Sequence, residues 1–470
     1  MSKKKKEIIE LSPESIGMEG VAVARNEGRV YFVKGAVPGD KVLASVRKKR
    51  KSYSQAQCEE VLEPSEHRIS PKCEYFGSCG GCSWQHLEYG QQIYWKKQNL
   101  IDCFERIGGI KSDVIDTMPA PEVYYYRNKM EFSFGASRWL LQEEIEKKDE
   151  IEQKSFALGL HVPGRYDKVI DIERCHIQKD KANEMLNLIR EKSFEKNIKP
   201  YNLHNHEGFL RNLIIRHSAA ENSFMLILVT TDISNDDEQN FVDWFGRELP
   251  LRFSEISNTI HSVNNGKNPV AVDRLDILFG PGYLTEKIFN IDFRISPYSF
   301  FQTNTFQLNS FIGLILDYAE IKQNDTVWDL YCGTGSITLP AAQRCKEIYG
   351  LELVQSSIDD AKLNAEINGI KNATFCRADL HDREIPGLLG SLPDPDLIII
   401  DPPRAGMHKN LVNHVLEANP ERITYVSCNP ATQARDCALL SEKYEVIKIR
   451  PVDMFPHTFH VESVAKLKRK

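Results

Sequence analysis

Thr326-Val327-Trp328-Asp329-Leu330-Tyr331-Cys332-Gly333-Thr334-Gly335 is a short apolar run that ends in a glycine-bearing turn. The spacing predicts a buried strand over 326–330 followed by a loop at its carboxyl end. Gly333 and Gly335 present no Cβ, so the backbone there can pass close to a ligand. A dinucleotide site would want G-x-G-x-x-G ahead of a helix to hold a pyrophosphate. Here the third glycine position is Thr338. Further apolar runs follow at 347–351, 373–376, 396–400, 422–427 and 444–449, with a helical pattern through Ile358, Ala361, Ala365 and Ile367. Strands alternating with helices predict an α/β fold with a Rossmann-like, doubly wound parallel sheet. Ligands of such sheets sit beyond the carboxyl ends of the strands. The search for function therefore narrows to 329–335, Glu352, Asp379, 401–404 and 427–430.

The carboxylates around the glycine turn suggest which ligand binds. Glu352, at the end of the second strand, can accept hydrogen bonds from both hydroxyls of a ribose, and Asp379, after the third, can reach an adenine amino group. An adenosyl ligand without pyrophosphate fits this set, which points to S-adenosylmethionine.

Cys428 follows the run 422–427 and precedes Asn429-Pro430. A free cysteine is most often a small buried apolar residue. Cys332, Cys345, Cys376 and Cys437 stay in that class. Cys428 leaves it because Ser427-Cys428-Asn429-Pro430 breaks its strand with polar residues and a proline, as Asp401-Pro402-Pro403-Arg404 does for the strand before it. Uracil explains the need for a thiol. Carbon 5 is a poor nucleophile until a thiolate adds to carbon 6, and its proton must afterwards be taken by a base. Glu462, in His460-Val461-Glu462-Ser463, stands at the start of an alternating strand and is the candidate base. Asn429 and Asp401 are candidates for the polar edge of the pyrimidine.

Toward the N-terminus, short apolar stretches at 21–24, 30–33, 41–46 and 56–61 alternate with turn signals. They predict a small β-barrel over 1–64, of the kind that often holds single-stranded RNA. The basic run Arg47 to Lys51 is either a solvated face or a grip for phosphates. Residues 65–90 contain Cys73, Cys79 and Cys82 in a Gly-rich loop too short for a core of its own. Such closely spaced thiols read as metal ligands, with zinc and an iron–sulfur cluster both open. Cys175, Cys58 and Cys103 are candidates for a fourth ligand. A helix is predicted over 91–107, mixed strand and helix over 120–290, and a surface insertion or exposed helix over 142–154.

The chain has 470 residues, 41% of them hydrophobic and 27% charged, so a large core and several domains are expected. Its net charge of −6 speaks against a globally basic nucleic-acid binder, although the first 60 residues carry a positive balance. No apolar run is long enough for a spanning helix, and Lys3 to Lys6 precede no signal core. The cytosol is the expected compartment. There, eleven cysteines speak for metal binding, catalysis or burial rather than disulfides.

Taken in order, these segments resemble the RNA uracil-5-methyltransferase family, in its branch bearing a TRAM domain and acting on 23S ribosomal RNA. The likeness rests on the barrel and on Cys73/Cys79-Gly-Gly-Cys82-x-Trp-Gln-His. It continues through Arg127-Asn128-Lys129, Ser299-Phe-Phe-Gln302-Thr-Asn304, the glycine turn, Asp401-Pro-Pro-Arg, Ser427-Cys-Asn-Pro and His-x-Glu462-Ser. It implies a [4Fe-4S] cluster on Cys73, Cys79, Cys82 and Cys175. Gln302, Tyr331, Glu352, Asp379 and Asp401 would contact S-adenosylmethionine, with Cys428 as nucleophile and Glu462 as base. The implied layout is a TRAM-like RNA-binding barrel over 1–64, an iron–sulfur loop and central RNA-binding domain over 65–290, and a catalytic domain over 291–470. Residues 91–117 would pack on the catalytic domain. The expected partner is RNA, ribosomal rather than transfer RNA because of the barrel; a monomer with no membrane association is expected. Tyr331, Ser336 and Phe459 depart from the family's usual Phe, Asn and Gly. Two other readings compete. One is amino methylation at Asp401-Pro-Pro-Arg, where Arg404 replaces an expected aromatic ring; the other is a non-catalytic RNA-binding iron–sulfur protein.

Overall fold

In the computed structural model, which describes residues 7–145, 155–268, 271–382 and 385–470, five strands of the C-terminal sheet lie parallel. Their order is Ala373–Arg377, Glu347–Glu352, Thr326–Leu330, Leu397–Ile400 and Arg422–Ser427. The chain moves outward in both directions from the gap between Thr326–Leu330 and Leu397–Ile400, so that gap is the switch point where ligands bind. The inner strands are largely apolar because both faces are covered. Val327, Ile348 and the whole run Leu397 to Ile400 are fully buried. Each such side chain contributes roughly 1.5–3 kcal/mol.

The strand Glu462–Arg469 runs antiparallel beside Arg422–Ser427, and Tyr444–Val452 lies outside it. The register pairs Ser427 with Ser463. Cys428 leaves one strand where Glu462 enters the other, so an antiparallel ladder brings together two residues far apart in sequence.

A piece of the N-terminal half completes this sheet. Asp113–Val114 pairs in parallel with Tyr444–Val452 at the edge. The helix Tyr89–Cys103, which runs on as a wider turn over Phe104–Gly108, sets Leu100, Cys103 and Phe104 in one core with Ala434 and Cys437 of the helix Pro430–Leu440.

The central region is an eight-stranded mixed sheet, in the order Arg274–Phe279, Ile256–Val263, Ser223–Thr230, Leu210–Ser218, Lys129–Gly135, Ala157–Val162, Arg165–Asp171 and Arg138–Trp139. Its core shares side chains such as Ile227 and Ile260 with the hairpin Leu284–Ile288/Ile291–Ile295 and the helix Thr305–Ala319. Within the expected insertion, Gln142–Ile145 is helical, and 146–154 lies outside the described residues. The N-terminal domain is a six-stranded sheet around Leu11, Val33, Val42 and Ala44. Arg47 and Lys49 of the basic run are paired there with Glu59 and Glu7 at 2.8 and 2.7 Å. Exposed pairs of this kind contribute little stability, and they offset much of the run's charge. Among the described residues, no helix is long and apolar enough to cross a membrane.

Candidate active site

The loop after Thr326–Leu330 is built to leave room. Tyr331 has φ 68°, a left-handed conformation rare for a large side chain. The N–H groups of Tyr331 and Cys332 both donate to Leu351 O, at 2.9 and 3.0 Å, and hold it there. Gly333 follows at φ 54° with nothing within 4 Å of where a Cβ would stand, so the turn faces open space. At Gly335, φ 86°, a Cβ would meet Leu339 at 3.3 Å and Phe375 at 3.4 Å. The Gly333 N–H donates to Glu352 Oε2 at 3.2 Å, and Glu352 Oε1 accepts from the Val354 N–H at 2.9 Å. The carboxylate is thus fixed at the edge of the opening. Asp329 lies beneath, accepting from the Thr338 hydroxyl at 2.5 Å. Burial raises Asp329 to about 7, and Asp401 and Glu352 add to the rise.

Asp379 is exposed on the far side, accepting from the His381 N–H at 2.9 Å. His381 Nε2 stands 3.4 Å from the Tyr331 hydroxyl. Gln302 is buried, and its carbonyl accepts from Asn128 Nδ2 at 2.9 Å. The next residues tie the central region to the loop that precedes the last strand. Thr303 O accepts from the Asn128 N–H at 2.9 Å, and Asn304 Nδ2 donates to Met454 O at 3.2 Å.

Cys428, Glu462, Asp401 and Arg404 form one cluster. Burial pushes the Cys428 thiol up to about 11; Glu462 and Asp401 add to the rise, and Arg404 opposes it. Burial also pushes Glu462 well above the usual carboxylate range, with Asp401 raising it further and Arg404 lowering it. Burial alone lifts Asp401 to about 7. In the free protein this thiol is neutral at pH 7. Alkylation of Cys428 by iodoacetamide, followed by peptide mass spectrometry, should therefore rise about tenfold per pH unit from pH 7 to 10 without levelling. A plateau already reached at pH 8 would contradict this.

Residues that the sequence did not single out hold the cluster in place. Asp436 is fully buried and accepts from the Tyr425 hydroxyl at 2.6 Å and the Met407 N–H at 2.7 Å. It fastens the loop 401–407 to the helix Pro430–Leu440. Gly406, at φ 75°, has no room for a Cβ, which would stand 2.6 Å from Asp436 Oδ2. Gln433 bridges the two strand ends, donating to Tyr425 O at 2.9 Å and accepting from the Ser463 hydroxyl at 2.6 Å.

The approach to Glu462 is held from further away. Lys96 Nζ lies 2.5 Å from Asp453 Oδ1, with both side chains wholly buried, and donates to Phe455 O at 3.1 Å. His457 has φ 64°, and its carbonyl accepts from the N–H groups of Ser83 and Trp84, both at 2.9 Å. Trp84 Nε1 donates in turn to Gly20 O at 2.9 Å. Phe459 fills the space over Gly20, where a Cβ would come within 2.5 Å of it. The loop that enters the last strand is thus tied to the cysteine loop, the helix Tyr89–Cys103 and the N-terminal sheet. The only trace in sequence is that Gln92, Lys96 and Asn99 put polar groups at helical spacing on a face that turns out to be buried.

Cys73, Cys79, Cys82 and Cys175 line one small cavity. Cys58 lies on the strand Tyr53–Glu63 and Cys103 in the core beside the helix Pro430–Leu440, away from it. Among the described residues, no group of three or more His, Cys, Asp or Glu side chains stands where it could hold a metal ion.

Comparison with known proteins identifies the family. Residues 277–470 match the family described as tRNA (Uracil-5-)-methyltransferase. An uncharacterized RNA methyltransferase of Chlorobaculum tepidum is 41% identical over 448 residues, 94% of this chain and 92% of that protein. One from Bacteroides thetaiotaomicron is 39% identical, covering 96% of this chain and 99% of its own. Among solved structures, the Pyrococcus abyssi tRNA (uracil-54, C5)-methyltransferase in complex with S-adenosyl-L-homocysteine superposes with a TM-score of 0.74. It is 27% identical and covers 98% of this chain and 100% of its own. With near-complete coverage of relatives this similar, the chain belongs to the RNA uracil-5-methyltransferase family, whose members use S-adenosylmethionine.

Proposed function

We propose that Cys428 adds to carbon 6 of the target uracil and that Glu462 removes the carbon 5 proton. The observation that carries this reading is the register that sets Cys428 against Glu462, with Asp401 and Arg404 beside them. S-adenosylmethionine, when bound, supplies a methyl group made electrophilic by its sulfonium. The Cys428 thiol first gives up its proton to solvent; its thiolate then forms the bond to carbon 6 and shifts the carbon 5–carbon 6 electron pair toward the O4 enolate, while Arg404 offsets the added negative charge. Carbon 5 would take the methyl group as the methyl–sulfur bond breaks and S-adenosylhomocysteine leaves. Glu462 then accepts the proton from carbon 5, the double bond re-forms, and Cys428 departs as thiolate. Asp401 and Asn429 bind the polar edge of the base. A carboxyl near pH 7 in its titration, as at Asp401, can donate as well as accept.

The cofactor would lie over the turn 331–335. Gly333 leaves the space, Glu352 meets the ribose, Asp379 the adenine end, and Tyr331, Gln302 and Asp401 line the rest. RNA carrying 5-fluorouridine tests the chemistry, because fluorine cannot leave as a proton. Wild type should form a covalent complex that survives denaturation, and equal trapping by Cys428→Ala would end the proposal.

Ribosomal RNA is the proposed substrate. Transfer RNA is the second reading, favoured by the Pyrococcus enzyme. That enzyme covers 98% of this chain, so an N-terminal sheet domain does not separate the two substrates. Mapping 5-methyluridine in both RNA pools from cells lacking the protein decides between them.

A [4Fe-4S] cluster is proposed on Cys73, Cys79, Cys82 and Cys175. The support is the four thiols that line one cavity, one for each iron of such a cluster. Anaerobically purified protein should be brown, with about four irons and four sulfides per chain. Stoichiometric zinc without sulfide refutes this. Since Ser83 and Trp84 hold His457, Cys82→Ser should also lower the thermal midpoint.

A further inference from the structure

Two adjoining cavities on the central sheet have no part in the chemistry above. The first, of about 1080 Å³, is lined by Ser299 to Thr303, apart from Gln302 itself, by Arg127 and Lys129, and by the hairpin turn around Pro163 and Arg165. The second, of about 340 Å³, is lined by Ser133, Ser137, His204 and Lys267 among others. His161 and Tyr166 border both. Tyr166 is 69% exposed, and its ring lies 6.2 Å from that of His204 at 54°. A large ring left in water between two cavities gives up burial that a partner could restore.

The walls carry more positive than negative charge. Arg127, Lys129, Arg165 and Lys267 face Glu131, which is paired with Lys129 at 2.7 Å, and Asp167, which lies 3.3 Å from Arg165. Cations along a groove with an aromatic face between its pockets are what a single RNA strand uses. Phosphates meet the cations, and a base stacks on the ring whatever its sequence. A duplex would not present a base face to the ring.

We infer that Tyr166 is a stacking platform for an unpaired nucleotide of the substrate RNA. The strand would run from the target uridine at Cys428, past the segment 299–303, through the first cavity, to the second. This inference rests on the RNA methylation reading.

Fluorescein-labelled oligouridylates of 3 and 12 nucleotides provide the test, with binding to the full-length protein measured by anisotropy in the presence of S-adenosylhomocysteine. Tyr166→Ala should weaken the 12-mer about tenfold and leave the 3-mer within about twofold. Tyr166→Phe, which keeps the ring, should bind both as wild type does. Unchanged 12-mer binding by Tyr166→Ala overturns the inference. So does equal weakening of both lengths, or a loss in Tyr166→Phe as large as in Tyr166→Ala. Trapping with 5-fluorouridine RNA reads the chemistry separately. Trapping without length discrimination sinks the stacking site alone, and discrimination without trapping sinks the proposed chemistry alone.

Discussion

Cys428→Ala should reduce methyl transfer by on the order of 10⁴-fold or more and abolish the covalent complex with 5-fluorouridine RNA. The variant loses a half-buried thiol that is neutral in the free protein, so folding and cofactor binding should hardly change. Glu462→Gln should behave differently. Burial pushes Glu462 well above the usual carboxylate range, and Glu462→Gln keeps the side chain's shape while removing its capacity to take up a proton. The adduct should therefore form and be methylated, then stall because no base takes the carbon 5 proton. A covalent protein–RNA band should accumulate on denaturing gels even with ordinary uridine. In wild type, a base whose pKa is raised is ionised more fully as pH rises, so the proton-removal step should accelerate toward alkaline pH. Cys428→Ala activity within tenfold of wild type would point instead to amino methylation.

Lys96→Met should be the most damaging change far from the reacting atoms. It strips the partner from Asp453 in a wholly buried site, and breaking a buried pair this way costs about 3–5 kcal/mol. Asp453 also accepts from the Tyr89 hydroxyl at 2.9 Å and the Phe455 N–H at 3.1 Å, so the approach to Glu462 loosens together with the helix. Urea unfolding should show the loss, and turnover should fall more than S-adenosylmethionine affinity. Adding Asp453→Asn removes the orphaned charge and, since an amide has a single oxygen, keeps one of the two acceptor bonds, so it should recover part of the stability. An unfolding free energy within about 1 kcal/mol of wild type for Lys96→Met alone would show that the pair does not hold the loop.

The catalytic sheet was legible because its strands are continuous apolar runs that stop at polar turns. Asp329 to Gly335, Asp401 to Arg404 and Ser427 to Pro430 all fall at strand ends, where the pattern placed them. That Cys428 meets Glu462 follows from an antiparallel register, which alternation alone does not specify. Asp436, Gln433 and Lys96 were illegible for another reason. A buried polar side chain looks like a surface one until its partner is known, and the partners of Lys96 and Gln92 lie at Asp453 and His457. The strand Asp113–Val114 is too short to carry any periodic signal, so its place at the edge of a distant sheet could not be read from its residues.

That edge strand has a consequence for how the chain is made. During synthesis, Asp113–Val114 and the apolar face of Leu100, Cys103 and Phe104 leave the ribosome long before the helix Pro430–Leu440 and the strand Tyr444–Val452 that cover them. In a nascent chain this segment has no sheet to join and exposes a face that chaperones can hold. The segment that finally covers it also brings in Glu462, so an unfinished chain has neither a closed edge nor a complete active site.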